Sequence, residues 1–218
     1  MAIPIVEDPY YDQYKPVVIG RQGQDVEEIE TTVARYRPES IDTICRLTRF
    51  NRREVQIMYR GFKQCCPTGI VSLAQFKEIY AQFFPQGMTS KYAEFVFRTF
   101  DRDGNGMISF EEFVLGLSIL SRGTTDDKLA WVFDLYDNKR RGFIDRDEMF
   151  IVVQSIYDLM GSYTDPPVDR NSVGEHVAAV FQRMDANRDG FITRAEFIET
   201  CKQDSAISNS LYLFDTKL

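Results

Sequence analysis

Asp101, Asp103 and Asn105 place side-chain oxygens at alternate positions, and Gly106, Ser109 and Glu112 follow at fixed offsets. That spacing is what a chain needs to wrap a hard divalent cation in a twelve-residue loop. Positions one, three and five supply side-chain oxygens, and Gly106 at position six permits the sharp bend around the ion. Met107 at seven offers its carbonyl, Ser109 at nine a water-mediated contact, and Glu112 at twelve a bidentate carboxylate. Calcium takes six to eight oxygens at about 2.3–2.6 Å, and hard, mostly anionic ligands offset its dehydration. The register recurs at Asp185, Asn187, Asp189, Gly190, the Phe191 carbonyl, Thr193 and Glu196. Each loop brings three carboxylates, which suits affinities of about 10⁻⁷–10⁻⁵ M. The expected cofactor is Ca2+ at two sites, one of them open to Mg2+ as well.

Two further stretches keep the register and lose the ligands. Gln64–Gln75 has Gln64 at position one, Cys66 at three, Pro67 at four and Gln75 at twelve, with no carboxylate. It is expected to bind nothing and to serve as a structural partner of the second loop. Asp137–Glu148 keeps Asp137, Gly142, Asp145 and Glu148 but carries Lys139 and Arg141 at positions three and five. A unit charge about 4 Å from a divalent ion costs on the order of 8 kcal/mol at an effective dielectric near 20. Micromolar binding is worth about 8.2 kcal/mol. No calcium is expected there. Lys139 or Arg141 is expected instead to pair with Asp137 and Glu148 as a built-in cation.

These loops need helices on both sides, and the apolar spacing supplies them. Asn51 with Glu54 three residues on is a helix start, after which Val55, Met58, Tyr59 and Phe62 share one face. Further helices are expected over about 39–47, 90–100 and 110–120, with Ser121–Gly123 as a break and Thr124–Asp127 as the next cap. Ser172 and Glu175 resemble another capping box, and 205–216 could form a last short helix. The fold expected is all-α: four helix–loop–helix units in two lobes, with short antiparallel strands between paired loops. Position eight of each loop faces its neighbour, Val71 against Ile108 and Ile144 against Ile192. Residues 1–24 read as a loose extension, 25–120 as the first lobe and 121–218 as the second.

Composition narrows the functions. A net charge of -7 with no basic stripe argues against nucleic acid. Cys45, Cys65, Cys66 and Cys201 lack metal-site spacing and read as reduced thiols of a cytoplasmic protein. No apolar run approaches the roughly 20 residues that span a bilayer, and Ala2 stands where N-myristoylation needs glycine. The single histidine, His176, has no nucleophile or metal pattern beside it, so no catalytic residue is assigned and no enzyme is expected.

The helices of the first lobe are apolar on more than one face, and the surplus calls for a partner. A groove receiving an amphipathic helix is the natural solution. Its expected lining is Tyr59 and Phe62, then Ile79, Tyr80 and Phe83, with Tyr92, Phe95 and Val96 opposite. Phe113, Leu117 and Leu120 complete it. Trp131 is either core or groove lining.

Arg35–Glu39 (RYRPE), Tyr59–Lys63 (YRGFK), Cys66–Gly69 (CPTG), Tyr80–Pro85 (YAQFFP), Phe133–Asp137 (FDLYD) and Ile156–Gly161 (IYDLMG) carry a resemblance. The chain resembles the neuronal calcium sensor family of EF-hand proteins, and most of all the voltage-gated potassium channel-interacting proteins. The likeness covers about 35–218. It implies four EF-hands, of which the loop residues leave the first and third inactive and the second and fourth active. It implies a cytoplasmic accessory subunit clasping the cytoplasmic N-terminal helix of an A-type, Shal-class potassium channel, and reaching the plasma membrane only through that channel. Channel-interacting proteins typically keep the third loop and lose the second, whereas this chain does the reverse. The alternative is a frequenin- or recoverin-like regulator of a lipid kinase or receptor kinase.

Overall fold

Polar residues set the helix starts. Ser40 caps α1 (Ile41–Leu47), and Asn51 caps α2 (Arg52–Cys65) in a reciprocal box with Glu54. The computed structural model describes residues 38–83, 90–160 and 170–204, all within one compact unit, Arg35–Leu218. After α2 come β1 (Ile70–Ser72), α3 (Leu73–Phe83), α4 (Ser90–Phe100), β2 (Met107–Ser109) and α5 (Phe110–Arg122). Gly123 ends α5, and Thr124 with Asp127 caps α6 (Thr125–Tyr136) at once. Then follow β3 (Phe143–Ile144), α7 (Arg146–Met160), α8 (Arg170–Met184), β4 (Ile192–Thr193) and α9 (Arg194–Gln203).

The loops pair as position eight requires. Val71 faces Ile108 in the antiparallel β1–β2 pair, and Ile144 faces Ile192 in β3–β4. All four side chains are buried, so each two-stranded pair closes the floor of its lobe. One expected start is corrected. The helix expected to begin at Ser172 already runs from Arg170, so Ser172 lies in its first turn and does not cap it. The extension over 1–24, the connection through Pro166 and Pro167, and the expected helix over 205–216 lie outside the described residues.

Aromatic packing joins the halves. Phe100, the last residue of α4, packs on Phe76 and Phe113 and meets the Trp131 ring edge-on at 6.4 Å. Trp131 is therefore packed against the core from α6. At the surface Arg49 donates to the Arg122 carbonyl at 2.7 Å and to Asp127 at 2.8 Å. Arg122 returns a bond to the Arg49 carbonyl at 2.7 Å and another to Glu54 at 2.5 Å. This reciprocal pair fixes the start of α2 against the end of α5 and the start of α6.

Gly116 of α5 is required by Phe100. A Cβ there would stand 2.3 Å from the Phe100 ring, which its other neighbours hold in place. Alanine gains about 1 kcal/mol of helix propensity, against roughly 1–3 kcal/mol for overpacking a filled core. Gly116→Ala is expected to lower stability by up to about 2 kcal/mol in calcium-free denaturant unfolding; a higher stability would contradict this packing.

Candidate metal centres

Each loop runs into its exiting helix in the same way. The residue at position nine is the N-cap, and the side chain at position twelve bonds back to it. Ser109 and Glu112, and Thr193 and Glu196, form full reciprocal boxes. Asp145 and Glu148 exchange the same bonds, at 3.1 and 2.8 Å. Ser72 and Gln75 do so with an amide in place of the acid, at 3.0 and 3.4 Å. The side chain best placed to close on an ion is thus also the helix cap. What the loop does depends on its remaining oxygen.

In the second loop that oxygen turns inward. Glu112 Oε2 takes the Ser109 N–H and hydroxyl, while Oε1 crosses the loop to the Arg102 N–H at 2.9 Å. Asp101 Oδ2 accepts the Gly106 N–H at 3.0 Å, a bond that requires the left-handed bend at Gly106, φ +82°. Asp101, Asp103 and Glu112 bring one oxygen each to within 4.8 Å of one another, the one such group among the described residues. Asp101 is 5% exposed, and its Oδ1 is buried with no hydrogen-bond partner. A buried carboxylate oxygen without a donor is costly, and a divalent cation is the partner this set of hard oxygens fits. Asn105 adds its own side chain, bonded at 2.7 Å to Asp103. The carbonyl of Met107 and the hydroxyl of Ser109 complete the set along β2.

The fourth loop has the same bend and a wider mouth. Asp185 Oδ2 accepts the Gly190 N–H at 3.0 Å, Asn187 Oδ1 accepts from the Asp189 N–H at 2.9 Å, and Asp189 Oδ1 accepts from the Phe191 N–H at 2.9 Å. Among the described residues Glu196 bonds to Thr193 alone, with no crossing bond to the start of the loop. The ligands stand in order, and Glu196 has still to close over them.

The other two loops differ physically from these. Position four is left-handed at Gly104, Arg140 and Arg188, with φ of +72°, +52° and +59°. Pro67 holds that position in the first loop, and its ring fixes φ near −65°. Helix α2 runs on through Gln64, and Cys66 at position three is buried at 2% exposure, which pushes its thiol up. This loop keeps the position-six bend at Gly69, φ +84°, but lacks the left-handed position four and the acids to hold an ion.

In the third loop Arg141 takes the cation's place. Its Nη2 lies 2.5 Å from Asp145 and 2.6 Å from Glu148, which is 2% exposed. Lys139 stands farther out, 3.5 Å from Asp145 and 4.0 Å from Glu148. The expectation of a built-in cation is corrected in one partner. Asp137 is not reached by either side chain and instead accepts the main-chain N–H of Arg141 at 2.9 Å and of Gly142 at 2.7 Å. The bend at Gly142 occupies Asp137 as it does Asp101 and Asp185, so the cation settles on Asp145. Burial alone would push the Asp145 carboxyl up. The Glu148 N–H and Arg141 bonds, with the charges of Lys139 and Arg141, outweigh it and leave the carboxyl below its ordinary range.

Of the expected groove lining, Phe62, Tyr92, Phe95 and Val96 are buried in the core. Tyr59, Ile79, Tyr80, Phe113 and Leu120 are partly buried against it, and Leu117 is half-buried. Phe83 ends α3, and its side chain lies outside the described residues. The residue that spacing missed is Arg140, whose guanidinium reaches from the third loop onto the second. At position four an arginine reads as solvent-facing, so only the tertiary structure reveals it.

Comparison with known families matches an EF-hand domain pair to residues 126–202 and an EF hand domain to residues 92–120. These are the stretches that hold the second, third and fourth loops. Residues 92–202 therefore carry EF-hand domains, a calcium-binding and non-catalytic type of unit, and the described residues form an all-α fold with short strand pairs between the loops. Among its described residues no helix is long and apolar enough to cross a membrane.

Calorimetric titration of the whole protein with calcium is expected to show two sites, and one in each of Glu112→Gln and Glu196→Gln. Both sites surviving in a variant would reject the assignment it tests. Asp145 gives stability that is present above its unfolded pKa and lost as pH falls through its depressed folded one. Arg141→Ala raises that folded value, so the midpoint of acid unfolding is expected to move to higher pH. An unmoved midpoint would show that Arg141 does not brace the loop.

Proposed function

We propose that this EF-hand protein is a calcium sensor that regulates a target by clasping one of its amphipathic helices in a groove of the first lobe. The observation that supports the reading is the double placement of Glu112. It is a ligand of the gathered second loop and also the third residue of α5, the helix that carries Phe113, Leu117 and Leu120. When bound, calcium would supply the divalent charge that lets the Asp101, Asp103 and Glu112 carboxylates share one site. The chain does the rest: α5 turns about its N-terminus relative to α4, as helix pairs of sensor loops do. Such a turn would uncover aromatic residues now packed between α2, α4 and α5.

The target favoured is the cytoplasmic N-terminal helix of an A-type, Shal-class voltage-gated potassium channel. Support comes from the RYRPE, CPTG and YAQFFP segments, which resemble the channel-interacting branch of the neuronal calcium sensors. On this reading the protein is a cytoplasmic accessory subunit, at the plasma membrane only through its channel. An intact second loop favours the second reading, a frequenin- or recoverin-like regulator of a lipid kinase or receptor kinase.

A synthetic peptide of a Shal-class channel N-terminus is expected to bind the full-length protein at saturating calcium with a micromolar or lower Kd. Glu112→Gln is expected to weaken that binding. Absence of binding to the channel peptide, with binding to a receptor-kinase peptide, would transfer the assignment to the second reading.

A further inference from the structure

The second and fourth loops carry nearly the same ligands, yet only the second has its carboxylates gathered. The difference lies outside the loop. Arg140, at position four of the third loop, donates through Nη2 to the Arg98 carbonyl at 2.7 Å and to the Asp101 carbonyl. Its Nη1 lies 3.4 Å from the Arg102 carbonyl and 3.2 Å from where a Cβ on Gly104 would stand. Arg98 answers with a bond of 3.5 Å to the Asn138 carbonyl.

These acceptors are the last carbonyls of α4 and the first of the loop, groups a helix leaves without internal partners. A cation at a helix C-terminus is favoured, and the planar fork of arginine spans several carbonyls where an ammonium would serve one. The base of the fork is fixed too. Arg140 sits in the left-handed region, and its neighbour Arg141 is pinned between Asp145 and Glu148. Arg188 has the same position and backbone in the fourth loop, but among the described residues no guanidinium reaches the carbonyls at the start of its own or any other metal loop from there.

We propose that Arg140 is a positioning residue of the second calcium loop. From the ion-refusing third loop it holds positions one and two of the second in the bend that capture requires. The Asp101 carboxylate is thereby set before the ion arrives, and the third loop raises the affinity of a site to which it gives no ligand. The inference rests on the reading of Asp101–Glu112 as a calcium loop.

The positive charge of Arg140 acts against a nearby cation, so charge and positioning have opposite signs and two variants separate them. Arg140→Ala removes both, whereas Arg140→Lys keeps the charge and loses the fork. In titrations of the full chain both variants are expected to weaken the second site roughly tenfold, equivalent to about 1.4 kcal/mol, leaving the fourth unchanged. In calcium-free protein, amide hydrogen exchange is expected to quicken over 101–112 in both variants and to stay the same over 185–196. Tighter binding in Arg140→Ala, equal weakening at both sites, or unaltered exchange over 101–112 would each overturn the proposal. If the parent binds no calcium at the second loop, that reading fails by itself, and the exchange measurement still decides whether Arg140 positions the segment.

Discussion

A single side chain at the twelfth loop position has two tasks, capping the helix that follows and closing on whatever fills the loop. All four repeats keep the cap, because the first turn of an exiting helix cannot leave its N–H groups unpaired. They differ in what happens to the second oxygen. Gln75 has an amide and no charge to offer. Glu112 reaches across its loop with its second oxygen, and Glu196 stays with its cap. Glu148 takes both its cap and Arg141 on Oε2, while its buried Oε1 lies 4.0 Å from Lys139. One local geometry thus gives a spacer, a gathered site, a waiting site and a site filled from within.

The Arg141 pairing shows how a loop expected to capture no ion keeps its shape. Buried Glu148 beside part-buried Asp145 would be costly without a cation. A guanidinium supplies one permanently and leaves β3 free to pair with β4. The fourth loop is paired with a strand whose own loop holds its acids through a side-chain cation. The first loop does the same for the second by other means, through Cys66 in the core and Val71 opposite Ile108. Each metal loop is backed by a partner whose shape does not depend on the ion.

Much of this was legible in the residues themselves. Alternating acids, the position-six glycines and the position-eight apolar residues were enough to set the loops, their pairing and the limits of α4, because each feature acts within a few residues of itself. What failed depended on longer reach or on main-chain bonds that residue types do not show. Asp137 could not be told from Asp145 as the partner of Arg141, since the deciding bond is a main-chain one made by the bend at Gly142. Periodicity showed that Tyr92, Phe95 and Val96 face something apolar, without showing that this is their own lobe in the present state. Nothing near Arg140 in the sequence indicated carbonyls on α4.

Two loops carry the oxygens for a divalent ion, while a third holds a cation of its own. Long-wavelength anomalous diffraction from crystals grown in calcium tests this most directly. The account requires one calcium peak within Asp101–Glu112, another within Asp185–Glu196, and the Arg141 guanidinium lying between Asp145 and Glu148. A calcium peak within Asp137–Glu148, with Arg141 displaced into solvent, would contradict it.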